Sequence, residues 1–542
     1  MASVSHKARV LAAIALPASA ALVLAGCASD TGDNGGSGAS SIIVGTTDKV
    51  TFLDPAGSYD NGSFAVMNQV FPFLLNSKPG TSDVEPDIAA SAEFTGDSDY
   101  TVTLKPGLTF ANGHDLTSSD VKFTFDRQLK IADENGPSSL LGNLDSVETP
   151  DDTTVVFHLK NGNDQTFPQV LSSPAGPIVD EEVFSADSVT SDDDIVEGKA
   201  FAGPYTISSY KFNELVTFTP NAEYQGVLGA PKNADVTLKY YADSSNLKLD
   251  VQEGNIDVAY RSLSATDIAD LRTKTDAVQV IDGPGGEIRY IVFNFDTQPY
   301  GAKTADADPA KALAVRQAIA DVIDRGEIAD QVYKDTYTPL YSYVPQGLTG
   351  ATEVLKELYG DGSGGADVDK AKATLEAAGV ATPVEINLQY NPDHYGGSSA
   401  DEYALVKDQL DSSGLFTVNL GSTEWTQYSK DRVADVYPLY QLGWFPDYSD
   451  ADNYLTPFFA TENFLSNHYS DAEVDSEIVA QQTEVDPAAR QQLIEDIQAK
   501  VAAQLSTLPL LQGAQTAIAG KDVSGTVLDG SFKFRFGSLT KG

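Results

Sequence analysis

The chemistry of this chain concentrates between Trp444 and Phe459. Three carboxylates (Asp447, Asp450, Asp452) share that stretch with the large aromatics Trp444, Phe445, Tyr448, Tyr454, Phe458 and Phe459. Rings offer apolar area and π-faces to an amphipathic molecule, and a carboxylate fixed beside them holds an ammonium. Such a charge-assisted hydrogen bond contributes roughly 1.5–3 kcal/mol. This is the chemistry of gripping a guest, not of breaking a bond. A Ca²⁺ site in an exported hydrolase is the rival use of these acids. The stretch lacks the glycine and closing glutamate of an EF-hand loop, and no nucleophile–base constellation accompanies it. The five histidines (6, 114, 158, 394, 468) form no HExxH or close metal-ligand pair. There is no G-x-S-x-G and no P-loop. Gly360 to Gly365 matches G-x-G-x-x-G, but it follows a helical stretch where a dinucleotide site needs a strand, so it reads as a loop. No enzyme, metal or cofactor is expected.

The only cysteine, Cys27, has a different chemistry. Lys7 and Arg9 precede an apolar run from Val10 to Ala25, too short and Ala-rich for a comfortable membrane span. The run ends in Leu24-Ala25-Gly26-Cys27, which resembles the lipobox of bacterial lipoprotein precursors. That resemblance implies cleavage before Cys27 and acylation of its thiol and new amino terminus, with several acyl chains giving a stable anchor. A lone thiol in an exported chain has no internal disulfide to make. Residues 1–26 are therefore expected to be a signal peptide and 27–41, rich in Gly, Ser and Asp, a tether. The expected location is the outer face of the cytoplasmic membrane.

Charge narrows the partners. The sequence holds 35 basic and 78 acidic residues, a net −43. Such a surface repels nucleic acid and gains nothing at an anionic membrane, so membrane contact must come from the lipid and a protein partner. At long range it favours cationic or zwitterionic guests, and it keeps the protein soluble.

The residues beyond Ser41 exceed what one core usually serves, so at least two lobes are expected. Strand IIVGT, the loop FLDPAGSYDNGS and the helix-like FAVMNQVFPFLL lead to alternating strands at 99–105 and 154–160. Between those strands, TSSDVKFTFDRQLK has a cap at Thr117 or Ser118 and a helical apolar pattern. Strand-rich segments fill 204–263. Asp308-Pro309 then opens a helix, and strands EINLQY, LFTVNLG and YPLYQLGW alternate with helices at 367–378 and 399–412 and over EWTQYSKDR. That alternation predicts right-handed crossovers and a mostly parallel sheet. The expected organisation is a first lobe at 42–72, an inserted subdomain at 73–197, more of the first lobe at 198–285, a second lobe at 286–506, and a return to the first at 507–542. In an open α/β sheet ligands lie beyond the carboxyl ends of strands, which points to the turn after Trp444.

The stretch GWFPDYSDADNYLTPFF resembles the GW-x-x-D-Y-x-D-x-x-N-[FY] signature of the family 5 extracellular solute-binding proteins, the peptide/nickel group of ABC importers. VTFLDP (50–55), EPDIAAS (85–91), LKPGLTFANG (104–113) into LTSSDV (116–121), AGPY (202–205) and VRQAIADVIDR (315–325) agree, in family order. The resemblance implies an α/β, two-lobed periplasmic-binding-protein-like clamp with an extra subdomain in the first lobe. It also implies hinge closure on a guest and docking of the closed form, as a monomer, on ABC permease subunits with their ATPase. In peptide-binding members the acid matching Asp447 holds the ligand's amino terminus, while Asp450 better suits capping of the following helix. Trp444, Phe445 and Tyr448 become cleft lining, and the loop after LDP supplies the opposite wall through Tyr59 and Asp60. Dipeptide-type members place an arginine after the strand matching EINLQY; here the loop reads NPDHYGGSS and has none, which favours longer peptides. Arg261 and Arg289 are the substitutes to consider. An oligosaccharide, a nickel chelate or a peptide-sensing receptor role are the alternatives to peptide import.

Overall fold

The computed structural model describes residues 40 to 542, except 134, 262, 397, 462 and 532. Cys27, the basic residues before it and most of the tether lie outside the described residues. Among the described residues no helix is long and apolar enough to cross a membrane.

Two mixed sheets carry the two lobes. The first runs, in spatial order, Val278–Gly283, Gln515–Gly520, Val258–Tyr260, Ile42–Thr46, Val236–Tyr240, Leu215–Pro220 and Tyr205–Lys211. The second runs Tyr337–Pro339, Thr507–Gly513, Ile288–Phe293, Leu439–Trp444, Val384–Tyr390 and Phe416–Ser422. A four-stranded antiparallel sheet (Ala89–Phe94, Asp99–Leu104, Thr154–Leu159, Leu144–Asp151) forms the extra subdomain with the helix Ser118–Ile131. Each has its own apolar core.

Local signals explain where the helices start and stop. Thr117 and Asp120 form a reciprocal capping box at the start of Ser118–Ile131. Asp308 accepts from the amides of Ala310 and Lys311, with Pro309 in the first turn of Pro309–Val322. Asp367 caps Val368–Ala377, and Gly379, at φ +67°, closes that helix in the left-handed region.

Three expectations are corrected. The second sheet is not mostly parallel: only the pairings of Val384–Tyr390 with Phe416–Ser422 and with Leu439–Trp444 are parallel, and the other three are antiparallel. The helix–strand alternation governs one half of that sheet, while Ile288–Phe293 and Thr507–Gly513 enter from the other lobe. The return to the first lobe starts later than 507, because Thr507–Gly513 pairs inside the second sheet and the chain rejoins the first at Gln515. The inserted subdomain also ends before 197, since Val179, Phe184 and Ile195 pack in the first-lobe core.

The lobes are joined by two crossing segments, 284–287 and Gly513-Ala514. There the Gly513 amide donates to the Glu287 carbonyl at 2.9 Å. A Cβ on Gly285 would stand 1.5 Å from the Gly513 carbonyl oxygen, so only glycine lets the two connections cross at this distance. Several motif residues prove to be struts. Asp54 of LDP, fully buried, takes a bidentate pair from Arg127 at 2.8 Å for each bond and accepts the amides of Ala56 and Thr190. Arg316 and Arg325 donate to the carbonyls of Gln504 and Pro509.

Candidate functional site

Strand Leu439–Trp444 delivers its chain end to the gap between the lobes, and the turn 445–451 leads into helix Asp452–Phe459. Asn453 organises this turn. Its Oδ1 accepts from the Trp444 indole (3.0 Å) and the Asp447 amide (2.9 Å), and its Nδ2 donates to Asp447 Oδ2 at 2.9 Å. Asp447 Oδ1 has no hydrogen-bond partner among the described residues. Burial pushes the Asp447 carboxyl up to about 6, and the Asn453 bond only partly opposes it. A half-buried carboxylate held by one neutral amide is a site short of a cation.

The other acids of the turn are occupied. Asp450 takes both guanidinium nitrogens of Arg490, at 2.7 and 2.8 Å, and its Oδ1 accepts the Asp452 amide at the start of the helix. Asp452 is buried beneath the turn, accepting from Gln481 and from Thr456, and burial raises its carboxyl to about 6. These two fix the turn and leave Asp447 to face the gap.

That gap is a cavity of about 370 Å³ lined from both lobes. The second lobe contributes Trp444, Phe445, Asp447 and Tyr448, together with His394, Tyr395, Trp425 and Phe464. The first lobe contributes Tyr59, Asp60 and Asn61, with Gln169, Ser172 and Lys533. Trp444 packs edge-on against Phe458 and Phe464. Gly443 is needed beside it, because a Cβ would meet the Tyr395 ring at 2.9 Å. Tyr448 reaches across to the subdomain core, and Ser449 Oγ donates to the Gly530 carbonyl at 2.5 Å. The lobes therefore already touch around the cavity.

Most of the expected residues meet here, but not all in the expected role. Tyr59 is exposed on the first-lobe wall, whereas Asp60 caps helix Asn61–Val70 through the Ser63 amide and accepts from Thr51. Arg261 lies in an adjoining cavity of about 520 Å³ that shares His394, Tyr395 and Phe445 with the first. It is paired with Asp48 at 3.1 Å, with its guanidinium 5.7 Å from the Phe445 ring centre. Arg289 does not reach either cavity. It is 1% exposed and spends its donors on Glu402, Ser399, the Tyr395 carbonyl and Glu287. A strand arginine on the buried face of a central strand serves the fold, and this one is corrected from guest anchor to strut.

The sequence reading missed His394, Trp425, Asn453 and Lys533. His394 lies flat on Trp425 with ring centres 3.8 Å apart, and burial pulls its imidazole below the ordinary value. The loop NPDHYGGSS, where the expected arginine is missing, thus brings an aromatic stack in its place. Asn453 stood in the quoted signature without a role.

Comparison with known proteins agrees with this architecture. Residues 83–466 match the model of the bacterial extracellular solute-binding proteins, family 5. Heme-binding protein A of Haemophilus influenzae is 25% identical over 85% of this chain and 86% of its own. Dipeptide-binding protein DppE of Bacillus subtilis is 22% identical over 91% and 90%. The fold also matches the binding protein DppA of Helicobacter pylori in complex with the peptide STSA, with a TM-score of 0.71 at 18% identity, covering 92% of this chain and 98% of that one. With a family match that spans most of the described residues, two lobes and a cavity between them, the chain belongs to the family 5 extracellular solute-binding proteins, which capture solutes for ABC importers and are not enzymes.

Proposed function

We propose that this protein captures short peptides by their free α-amine and hands them to an ABC permease from a lipid anchor at Cys27. The observation that supports the peptide reading most is Asp447: a half-buried carboxylate with one oxygen uncommitted, clamped by Asn453 and walled by aromatic rings. An α-ammonium restores the charge balance there, and the rings take side chains with little polar selectivity. The names of DppE and of the STSA complex favour the same guest class. A guest that bridges the walls stabilises the closed form by its preference for it, and closure is what a permease would recognise. The anchor rests on the sequence Leu24-Ala25-Gly26-Cys27 alone.

The test is a pair of titrations. Asp447→Asn keeps the shape and removes the charge, so it should weaken binding of a free-amine peptide by about 10–100-fold, the loss of one charge-assisted hydrogen bond. The N-acetylated form of that peptide, weak to begin with, should change little. Calorimetry showing equal losses for both would remove Asp447 from the site.

A further inference from the structure

Lys533 lines the cavity from the first-lobe side, opposite the turn that carries Asp447. It is 8% exposed, and Arg535, two residues on, is 5% exposed. Neither forms an ion pair among the described residues. The Lys533 ammonium donates to Ser172 Oγ and to Asn76 Oδ1, both neutral, and lies 5.2 Å from the centre of the Phe73 ring. Arg535 donates to Asn76 Oδ1, Ser77 Oγ, Ser531 Oγ and the Lys533 carbonyl. The nearest acids, Asp87 and Asp529, act on the pair only at a distance. Asp87 gives its oxygens to Tyr224 and the amides of Val227 and Phe73. Asp529 gives its own to Gly80 and Ser531. Burial, with the Arg535 charge beside it, holds the Lys533 ammonium well below its ordinary value. Two cations buried side by side without a counter-ion are costly, and an anion is the group that would relieve them.

Neither acid pairs directly with the two cations, and the open approach to Lys533 for a further anion is the cavity that it lines. We propose that Lys533, with Ser172 beside it, anchors the carboxylate of a zwitterionic guest whose ammonium sits at Asp447, so that the cavity reads both ends of a short peptide. This inference rests on the peptide reading and deepens it. It also supplies what the NPDHYGGSS loop lacks, from the opposite wall and another part of the chain. A guest held by an acid of one lobe and a base of the other bridges the lobes through its two charged ends.

The test uses four pools of randomised di- to tetrapeptides: free, N-acetylated, C-amidated and blocked at both ends. Each is dialysed against the whole protein, and retained peptides are weighed by mass spectrometry. The wild type should retain the free pool over the C-amidated pool by about tenfold or more. Lys533→Met keeps the length and removes the charge. It should bring that ratio near one while leaving the preference for free over acetylated amines intact. The ligand-free variant should also melt higher than the wild type, because a buried unpaired cation has been removed; a merely structural lysine would give a lower melting temperature. Equal retention of acids and amides by the wild type, with acetylated peptides still rejected, overturns this inference and leaves the peptide reading standing. A Lys533→Met variant that still prefers acids overturns it as well. Retention of no pool by the wild type overturns both.

Discussion

A single carboxyl group, that of Asp447, carries the binding argument, and its titration gives it a second signature. Burial raises it to about 6 from an ordinary 3.8, so folding favours its protonated form. The stability this gives is complete below the unfolded value and is lost as pH rises through about 6. Asp447→Asn should therefore raise the melting temperature of the ligand-free protein at pH 8 by ~1–2 °C and change it far less at pH 4, near the unfolded value. Binding runs the other way. A free-amine peptide needs the carboxylate, so wild-type affinity should fall as pH drops below about 6, and the Asn variant should lose that dependence. Differential scanning calorimetry and titration at two pH values measure both. Asp452, also raised to about 6, lies beneath the turn and is unchanged by the substitution. The acid–aromatic stretch was legible because its residue types are unusual together. Asn453 was not, since an amide in a turn has no distinctive spacing. Lys533 was hidden more deeply. Period-two alternation such as Phe-Lys-Phe-Arg-Phe normally puts the charges in water, yet both Lys533 and Arg535 are buried with Phe534 and Phe536.

At the scale of elements, the site depends on a turn held from behind. Arg490, on helix Pro487–Gln504, grips Asp450 with both nitrogens, and Asp450 caps the start of helix Asp452–Phe459. Neither residue lines the cavity, so either change acts on a guest only by loosening the turn. Asp450→Ala and Arg490→Ala should each weaken peptide binding by about 1 kcal/mol, and the double variant by little more than either alone. Losses that simply add in a double-mutant cycle would show that the two act separately. Helix caps were readable: Asp308-Pro309 opens its helix, and Gly379 closes one, as the local chemistry requires. Sheet membership was less so. Thr507–Gly513 is an apolar strand in either lobe, and nothing local says that it pairs with Ile288–Phe293 before the chain crosses back at Gln515.

For the whole molecule, the two lobes, the crossing at Gly285 and Gly513, and the cavity lined from both sides form one device for enclosing a guest. Length and the change from the strand-rich block ending at 263 to helix–strand alternation from Asp308-Pro309 announced two lobes, and the family resemblance supplied their clamp geometry. How wide the cavity is and which charges face it across the gap depend on contacts between residues hundreds of positions apart, such as Lys533 with Asn76. Periodicity does not carry that information. The central claim is that this enclosure holds a short peptide by its charged ends. The most direct measurement is native mass spectrometry of the freshly purified protein with whatever it has retained. A ladder of adducts that resolves, on release, into short peptides with free termini is the predicted result. A single sugar, haem or metal-chelate mass in every preparation would contradict it.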